Sequence, residues 1–185
     1  MCSSDLLEVW YSRIDAESLL ESAPDAKARA LRGRMIEKAR SRSAERMLPR
    51  ITQQVDGRRR FVENPPIMTR EVDEACLGWL AHGLEQYRSA LSEERRLLLD
   101  CYRVEDFARR VVGVGSVGTR CYVALLSCDD STPLLLQIKE ARPSVLEPFT
   151  APCPWDHQGR RVVVGQRILQ AAGDLFRSEE HTSEL

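Results

Sequence analysis

Three glycines and one lysine carry the clearest chemical signal in this chain. Gly113, Gly115 and Gly118 stand in RRVVGVGSVGTRCYVALL with the spacing G-x-G-x-x-G, and Ser116 lies between the last two. Residues without a Cβ let backbone N–H groups approach phosphate oxygens closely. Lys139 ends the apolar run LLLQIK. An ammonium group beside such a loop would neutralise phosphate charge. The plainer alternative is a glycine-bent hairpin with a solvated lysine at a strand end. The glycine spacing alone does not separate the two, so the flanking residues must decide.

That spacing occurs in two settings with different neighbours. In a dinucleotide-binding βαβ unit the glycines open a helix whose N-terminus holds the pyrophosphate, and an acid about 20 residues on takes a ribose hydroxyl. Glu140 lies at about that separation, but TRCYVALLSCDDSTP is a strand-length β-branched and aromatic run ended by turn residues. A crossover helix has no room there. In a kinase-like setting the loop joins two antiparallel strands and a third strand carries a lysine. CYVALL is then the second strand and LLLQIK the third, with Lys139 standing where V-A-I-K ends. The order strand, glycine loop, strand, turn, strand favours phosphate binding on antiparallel strands.

The elements that must hold this unit lie on both sides of it. Residues 4–22 are patterned as a helix through Leu6, Leu7, Trp10, Ile14 and Leu19, with Asp15 as a cap for its last part. After Pro24 and Asp25, a second helix is expected from Ala26 to Arg46. It is basic, with Lys27, Arg29, Arg32, Arg34, Lys38, Arg40, Arg42 and Arg46. No aromatics are interleaved, so a solvated face outweighs a nucleic-acid surface. ITQQVDGRRRFV, Ile51 to Val62, predicts a hairpin turning at Asp56-Gly57 and ended by Asn64, Pro65 and Pro66. Glu71 to Leu91 predicts a helix with an apolar stripe of Val72, Ala75, Cys76, Trp79, Leu80, Leu84 and Tyr87. His82 stands alone on it, which favours packing or solvent over catalysis. Ser92, with Glu93 and Glu94 after it, reads as the cap of a helix running to about Tyr102. FARRVVGV is the first strand of the glycine unit. Beyond the prolines at 143, 148, 152 and 154, Arg161 to Phe176 is amphipathic, with Val164, Ile168, Leu169, Ala172 and Phe176 inward.

Bulk properties exclude several classes. The chain has 185 residues, 43% hydrophobic and 30% charged, with a net charge of −1. That is ordinary for a globular domain and supplies no overall pull toward polyanions. No apolar run approaches the roughly 20 residues that span a bilayer. Asp5 and Glu8 occupy a stretch where a signal peptide would be basic and then apolar, so a cytoplasmic location is expected. The six cysteines form no C-x-x-C pair and no clustered histidines accompany them, so free, buried or half-buried thiols are expected rather than zinc ligands or disulfides.

On these residues a resemblance can be named. RRVVGVGSVGTRCYVALL, PLLLQIKEARPSVLE and GQRILQAAGDLF, with LLEVWYSRID upstream, are similar to a bacterial family, domain of unknown function 2252, over Leu6 to Phe176. That family resembles the protein kinase and aminoglycoside phosphotransferase superfamily. The resemblance implies ATP with magnesium as cofactor. It also implies that Gly113, Gly115, Ser116 and Gly118 cover nucleotide phosphates while Lys139 contacts them. It leaves the acid partner of Lys139 open between Glu147 and Glu140. The G-D-A-H-x-x-N-F-type and D-F-D-type segments that would supply catalytic carboxylates are absent from this sequence, and Asp129 and Asp130 lie in a hairpin turn. No catalytic residue and no metal ligand is therefore assigned.

The expected architecture is α+β. Residues 1–104 form a mainly helical region with a small hairpin at 51–62, and 105–176 a kinase-like antiparallel β-hairpin unit with a packing helix. The tail at 177–185, RSEEHTSEL, reads as translated sequencing adapter. The whole reads as a fragment of a larger fold, whose partners are a nucleotide and the remainder of its own chain. The leading function is nucleotide binding within an ATP-dependent phosphotransferase, inactive as this fragment. The alternatives are a non-catalytic nucleotide-binding or structural module and, below it, a dinucleotide-dependent oxidoreductase, which needs a helix after Gly118.

Overall fold

The computed structural model describes residues 15–41, 44–70, 73–113, 118–128, 133–155, 157–170 and 176. The fold is α+β. Helices α1 (Ala16–Glu21) and α2 (Ala26–Arg40) come first. Asp15 and Asp25 cap them, accepting the N–H groups of Ser18 at 2.6 Å and Ala28 at 2.7 Å. Leu6, Leu7, Trp10 and Ile14 of the expected first helix lie outside the described residues. The sequence predicts a second helix reaching Arg46, but α2 stops at Arg40. There Ser41 turns its hydroxyl back to the Lys38 carbonyl at 2.8 Å. A serine hydroxyl that bonds a helix-end carbonyl gives the backbone an alternative to another turn of helix. Two cations of the basic helix tie α1 to α2. Arg32 donates to the Leu19 carbonyl at 2.7 Å, and Arg40 pairs with Glu17 at 3.0 Å. Lys27, Arg29, Arg34 and Lys38 are exposed, as a solvated face requires.

Helix α3 (Ala44–Ile51) leads into the hairpin β1 (Thr52–Val55) and β2 (Arg58–Phe61). Asp56 and Gly57 both have positive φ, 49° and 74°, as a type I′ turn demands. Next is a two-residue strand, β3 (Met68–Thr69), which the sequence does not predict. Its two residues give no alternation to read, and it exists because β4 offers it an edge. Then come α4 (Glu74–Ala90) and α5 (Glu93–Asp100). Asp73 caps α4 by accepting the Cys76 N–H at 2.7 Å. Ser92 stands at the N-cap of α5 but makes no side-chain bond to the helix backbone; its hydroxyl donates to Glu94 at 2.6 Å.

The glycine unit supplies β4 (Arg103–Arg110), β5 (Cys121–Ser127) and β6 (Leu134–Lys139). With β3 they form one antiparallel sheet in the order β3-β4-β5-β6. A 3₁₀ turn (Glu147–Phe149) and helix α6 (Gln158–Leu169) complete the described chain, apart from Phe176. On α6 the buried residue is Val163, while Ile168 and Leu169, expected inward, are exposed. The amphipathic pattern runs to Phe176, but the backbone turns extended at Gln170, with φ −130° and ψ 116°. Ile168 and Leu169 therefore end the helix instead of lying within it. Ala172 lies outside the described residues.

All seven residues of β5 are buried, so this central strand has a core on each face. Tyr122, Ala124 and Leu126, with Phe107, lie against Leu80, Tyr87, Leu91 and Leu99 from α4, α5 and the joint between them. Val123 and Leu125, with Ala108 and Met68, lie against Leu48 and Phe61. The second core needs the β1–β2 hairpin held against the sheet, and Asp106 holds it. A register shift between Val104 and Asp106 marks a bulge in β4. The Asp106 side chain, 7% exposed, accepts the Phe61 N–H at 2.8 Å, Arg70 Nε at 3.0 Å and Arg60 at 3.4 Å.

Removing one member of a buried charge cluster leaves the others unpaired. Asp106→Ala should therefore cost about 3 kcal/mol of folding stability, read as a lowered urea midpoint at unchanged m-value. Arg60→Gln, at the longest and partly solvated contact, should cost about 1 kcal/mol or less.

Candidate functional site

The glycine loop leaves the sheet at Arg110 and rejoins it at Cys121. Gly113 has φ 33° and Gly118 φ 81°, a region that disfavours side chains. Among the described residues, a Cβ at either position would meet no atom within 4 Å. Backbone conformation, not crowding by the described residues, thus makes glycine the fitting residue. Gly115 and Ser116 lie outside the described residues. Shortly after Gly118 the chain enters strand β5, antiparallel to β4. Dinucleotide binding needs a helix opening there, and the chain builds a strand instead.

Lys139 is the last residue of β6 and the cross-strand partner of Cys121, the first strand residue after the loop. Side chains of paired residues share a face of the sheet. Lys139 therefore stands at the loop end, on the face that carries Val123 and Leu125. It is exposed and makes no ion pair among the described residues. Neither candidate acid pairs with it. Glu140 accepts the Arg120 N–H at 2.9 Å and Arg142 Nε at 3.0 Å, and the Glu140 N–H donates to the Arg120 carbonyl at 3.0 Å. These bonds tie the loop's exit to the end of β6. Glu147 begins the 3₁₀ turn.

The local charges are uneven. The Arg142 hydrogen bond, then the Arg120 N–H, hold the Glu140 carboxyl below the usual glutamate range. Burial pushes the Cys121 thiol up, against the pull of Lys139 and Arg110. That thiol is protonated at neutral pH and a poor nucleophile. On the opposite face, burial and the Cys76 thiol's hydrogen bond at 3.4 Å raise the Tyr122 phenol. Sequence reasoning misses the Glu140 clamp. Its signal is an acid at a strand end with an arginine two residues on, and Arg120 joins them only once the strand register is known.

The remaining candidates lie away from the loop or outside the described residues. His82 is exposed on α4 beside Gln86, at 3.0 Å. Asp129 and Asp130 are outside the described residues. Among the described residues no group of His, Cys, Asp and Glu could hold a metal ion, and the five described cysteines are free. Cys101 is exposed, against the expectation of burial; its thiol donates to the Leu97 carbonyl at 3.5 Å. A groove of about 370 Å³ is lined by Leu20, Gly33, Ile36, Glu37, Arg40 and Ser41. It belongs to α1, α2 and the α2 cap, which supply none of the candidate site residues. No helix among the described residues is long and apolar enough to cross a membrane.

A family model described as "Uncharacterized protein conserved in bacteria (DUF2252)" matches residues 1–183. The chain belongs to this family. The match takes in residues 177–183, the greater part of the segment after Phe176. No curated protein and no solved structure matches the chain.

Glu140 gives this member of the family a testable pH dependence. A carboxyl whose folded pKa is depressed stabilises the fold above its unfolded value and loses that contribution as pH falls through the folded value. Glu140→Gln should therefore lower the urea midpoint at about pH 7, and the gap to wild type should shrink at about pH 3, below the ordinary glutamate pKa of about 4.3.

Proposed function

We propose that this chain carries the nucleotide-phosphate-binding part of a kinase-like protein, with the glycine loop covering the phosphates of ATP and Lys139 contacting them. The observation that carries this reading is the shared register. Cys121 and Lys139 are partners, so the loop's exit and the lysine meet at one end of one sheet. A lysine left exposed and without an acid among the described residues is free to meet an anion. Positive φ at Gly113 and Gly118, with no described atom crowding either, leaves the peptide groups approachable. The antiparallel order supports a hairpin-borne loop rather than a helix-borne one.

Under this reading Gly113, Gly115, Ser116 and Gly118 line the phosphate side and Lys139 supplies the positive charge. Magnesium accompanies the nucleotide, and none of these residues is assigned as its ligand. The chain binds and orients the nucleotide; no residue is assigned to position an acceptor hydroxyl. A non-catalytic nucleotide-binding module is the second reading; a GDxHxxN and DFD pair in the remainder of the chain would favour the enzyme, and its absence there the module. Both readings share the same partners, a nucleotide and the remainder of a longer chain, and the same cytoplasmic setting.

The test is a calorimetric titration of MgATP and NADH in parallel. MgATP should bind, and Lys139→Ala should weaken it about tenfold, or about 1.4 kcal/mol. NADH should not bind. Failure of both nucleotides to bind, or indifference to Lys139→Ala, would remove the reading and leave the glycines as a structural turn.

A further inference from the structure

A second cation stands on the lysine's face of the sheet. Arg110 is the last residue of β4 and pairs with Met68 of β3. Met68 and Ala108 both belong to the core beneath Phe61, and Arg110 lies two residues beyond Ala108. Period-two alternation therefore puts Arg110 on that same face. The pair Arg109↔Tyr122 brings Arg110 level with Cys121, whose own partner is Lys139. Arg110, Cys121 and Lys139 thus form a row across three adjacent strands at the loop end. With neighbouring strands about 4.8 Å apart, the two cations bracket the row about 10 Å apart at their backbones. Both act on the Cys121 thiol between them.

Nothing among the described residues neutralises this pair. Arg110 is half-buried and Lys139 exposed, and neither makes an ion pair there. Asp106, the carboxylate on their face, is committed to Phe61, Arg60 and Arg70. Glu140 is committed to Arg120 and Arg142. The loop residues Val111 to Gly118 contain no charged side chain. Arg109, by contrast, is exposed on the other face beside Tyr122 and reads as an ordinary solvated strand end. A half-buried guanidinium near a like charge, with no acid partner among the described residues, is electrostatically unfavourable. An anion bridging both cations removes the repulsion, and arginine's planar fork suits phosphate oxygens.

We infer that Arg110 is a second phosphate-contacting residue, so that Arg110 and Lys139 together take a chain of two or more phosphates rather than a single one. This rests on the phosphate-binding reading of the loop. The ligand class is a nucleoside di- or triphosphate. A monophosphate reaches one cation only and binds weakly.

The experiment titrates the full chain with ATP, AMP and inorganic tripolyphosphate, for wild type, Arg110→Met, Arg110→Lys and Lys139→Ala. Arg110→Met keeps the aliphatic stem, and its urea midpoint checks folding. ATP and tripolyphosphate should each bind about tenfold more weakly to Arg110→Met (about 1.4 kcal/mol), while AMP stays weak and unchanged. Arg110→Lys, the variant that preserves charge should Arg110→Met misfold, should retain most of the affinity. If ATP binding falls with Lys139→Ala but not with either Arg110 variant, the second contact is overturned and the nucleotide reading stands. If tripolyphosphate binds through both cations while ATP does not, the two-cation contact stands and the nucleotide reading falls. If neither ligand binds, or neither residue matters, both fall.

Discussion

The buried carboxylate of Asp106 joins the two sheets of this protein. From a bulged position in β4 it takes the Phe61 N–H and the Arg60 guanidinium from the hairpin, and the Arg70 guanidinium from just beyond β3. The bulge matters because it turns this carboxylate onto the face where Phe61 must seat. Phe61 is fully buried, and with Leu48 it closes the core over Val123 and Leu125. Without that closure β5 would lose one of its two hydrophobic faces. A strand as apolar as CYVALLS is stable at the centre of a sheet only when both faces are covered.

That central strand sets the geometry of the loop. Burial on both sides specifies the register of β5, since a slip by one residue would exchange its two faces. The register in turn sets Cys121 opposite Lys139 and brings Arg110 level with both. The bonds between Arg120 and Glu140, which extend the β5–β6 ladder, sit at the same end. One carboxylate there answers two arginines, while Arg110 and Lys139 meet no carboxylate among the described residues. Three cations, Arg110, Arg120 and Lys139, stand at this end of the sheet although the whole chain carries a net charge of −1.

The helices play the complementary part. Helices α4 and α5 cover the Tyr122 face with Leu80, Tyr87 and Leu99, and Trp79 tilts against Tyr122 with ring centroids 6.3 Å apart. The Tyr87 hydroxyl donates to the Phe176 carbonyl, which brings the chain's later part back to the same core. Helices α1 and α2, by contrast, bury no residue fully and are held by their own polar contacts. The basic helix is thus a solvated element, while the cations at the loop gain their significance from where the sheet sets them.

Local chemistry is legible in the sequence. Asp56-Gly57 specifies its turn because both residues tolerate positive φ, and Asp15 and Asp25 announce helix starts because a short carboxylate reaches the free N–H groups. The strand after Gly118 is legible too, because TRCYVALLS is β-branched and aromatic at strand length. The family can be read from the GVGSVGTR block, and the α+β class from the change of texture near residue 105. Features that depend on distant partners are not legible. Asp106 looks like any strand-edge acid until Arg60, Phe61 and Arg70 are brought to it across 36 to 46 residues of chain. Strand β3 is too short to carry a pattern. Ser92 forgoes the helix backbone for Glu94, and Ile168 and Leu169 face solvent, because local contacts and the helix end rather than propensity decide such positions. The sequence by itself determined which residues could turn, cap and bury. Only the tertiary structure decided that Arg110 and Lys139 share a face while Glu140 is engaged elsewhere, because strand register, not spacing along the chain, sets which charges meet.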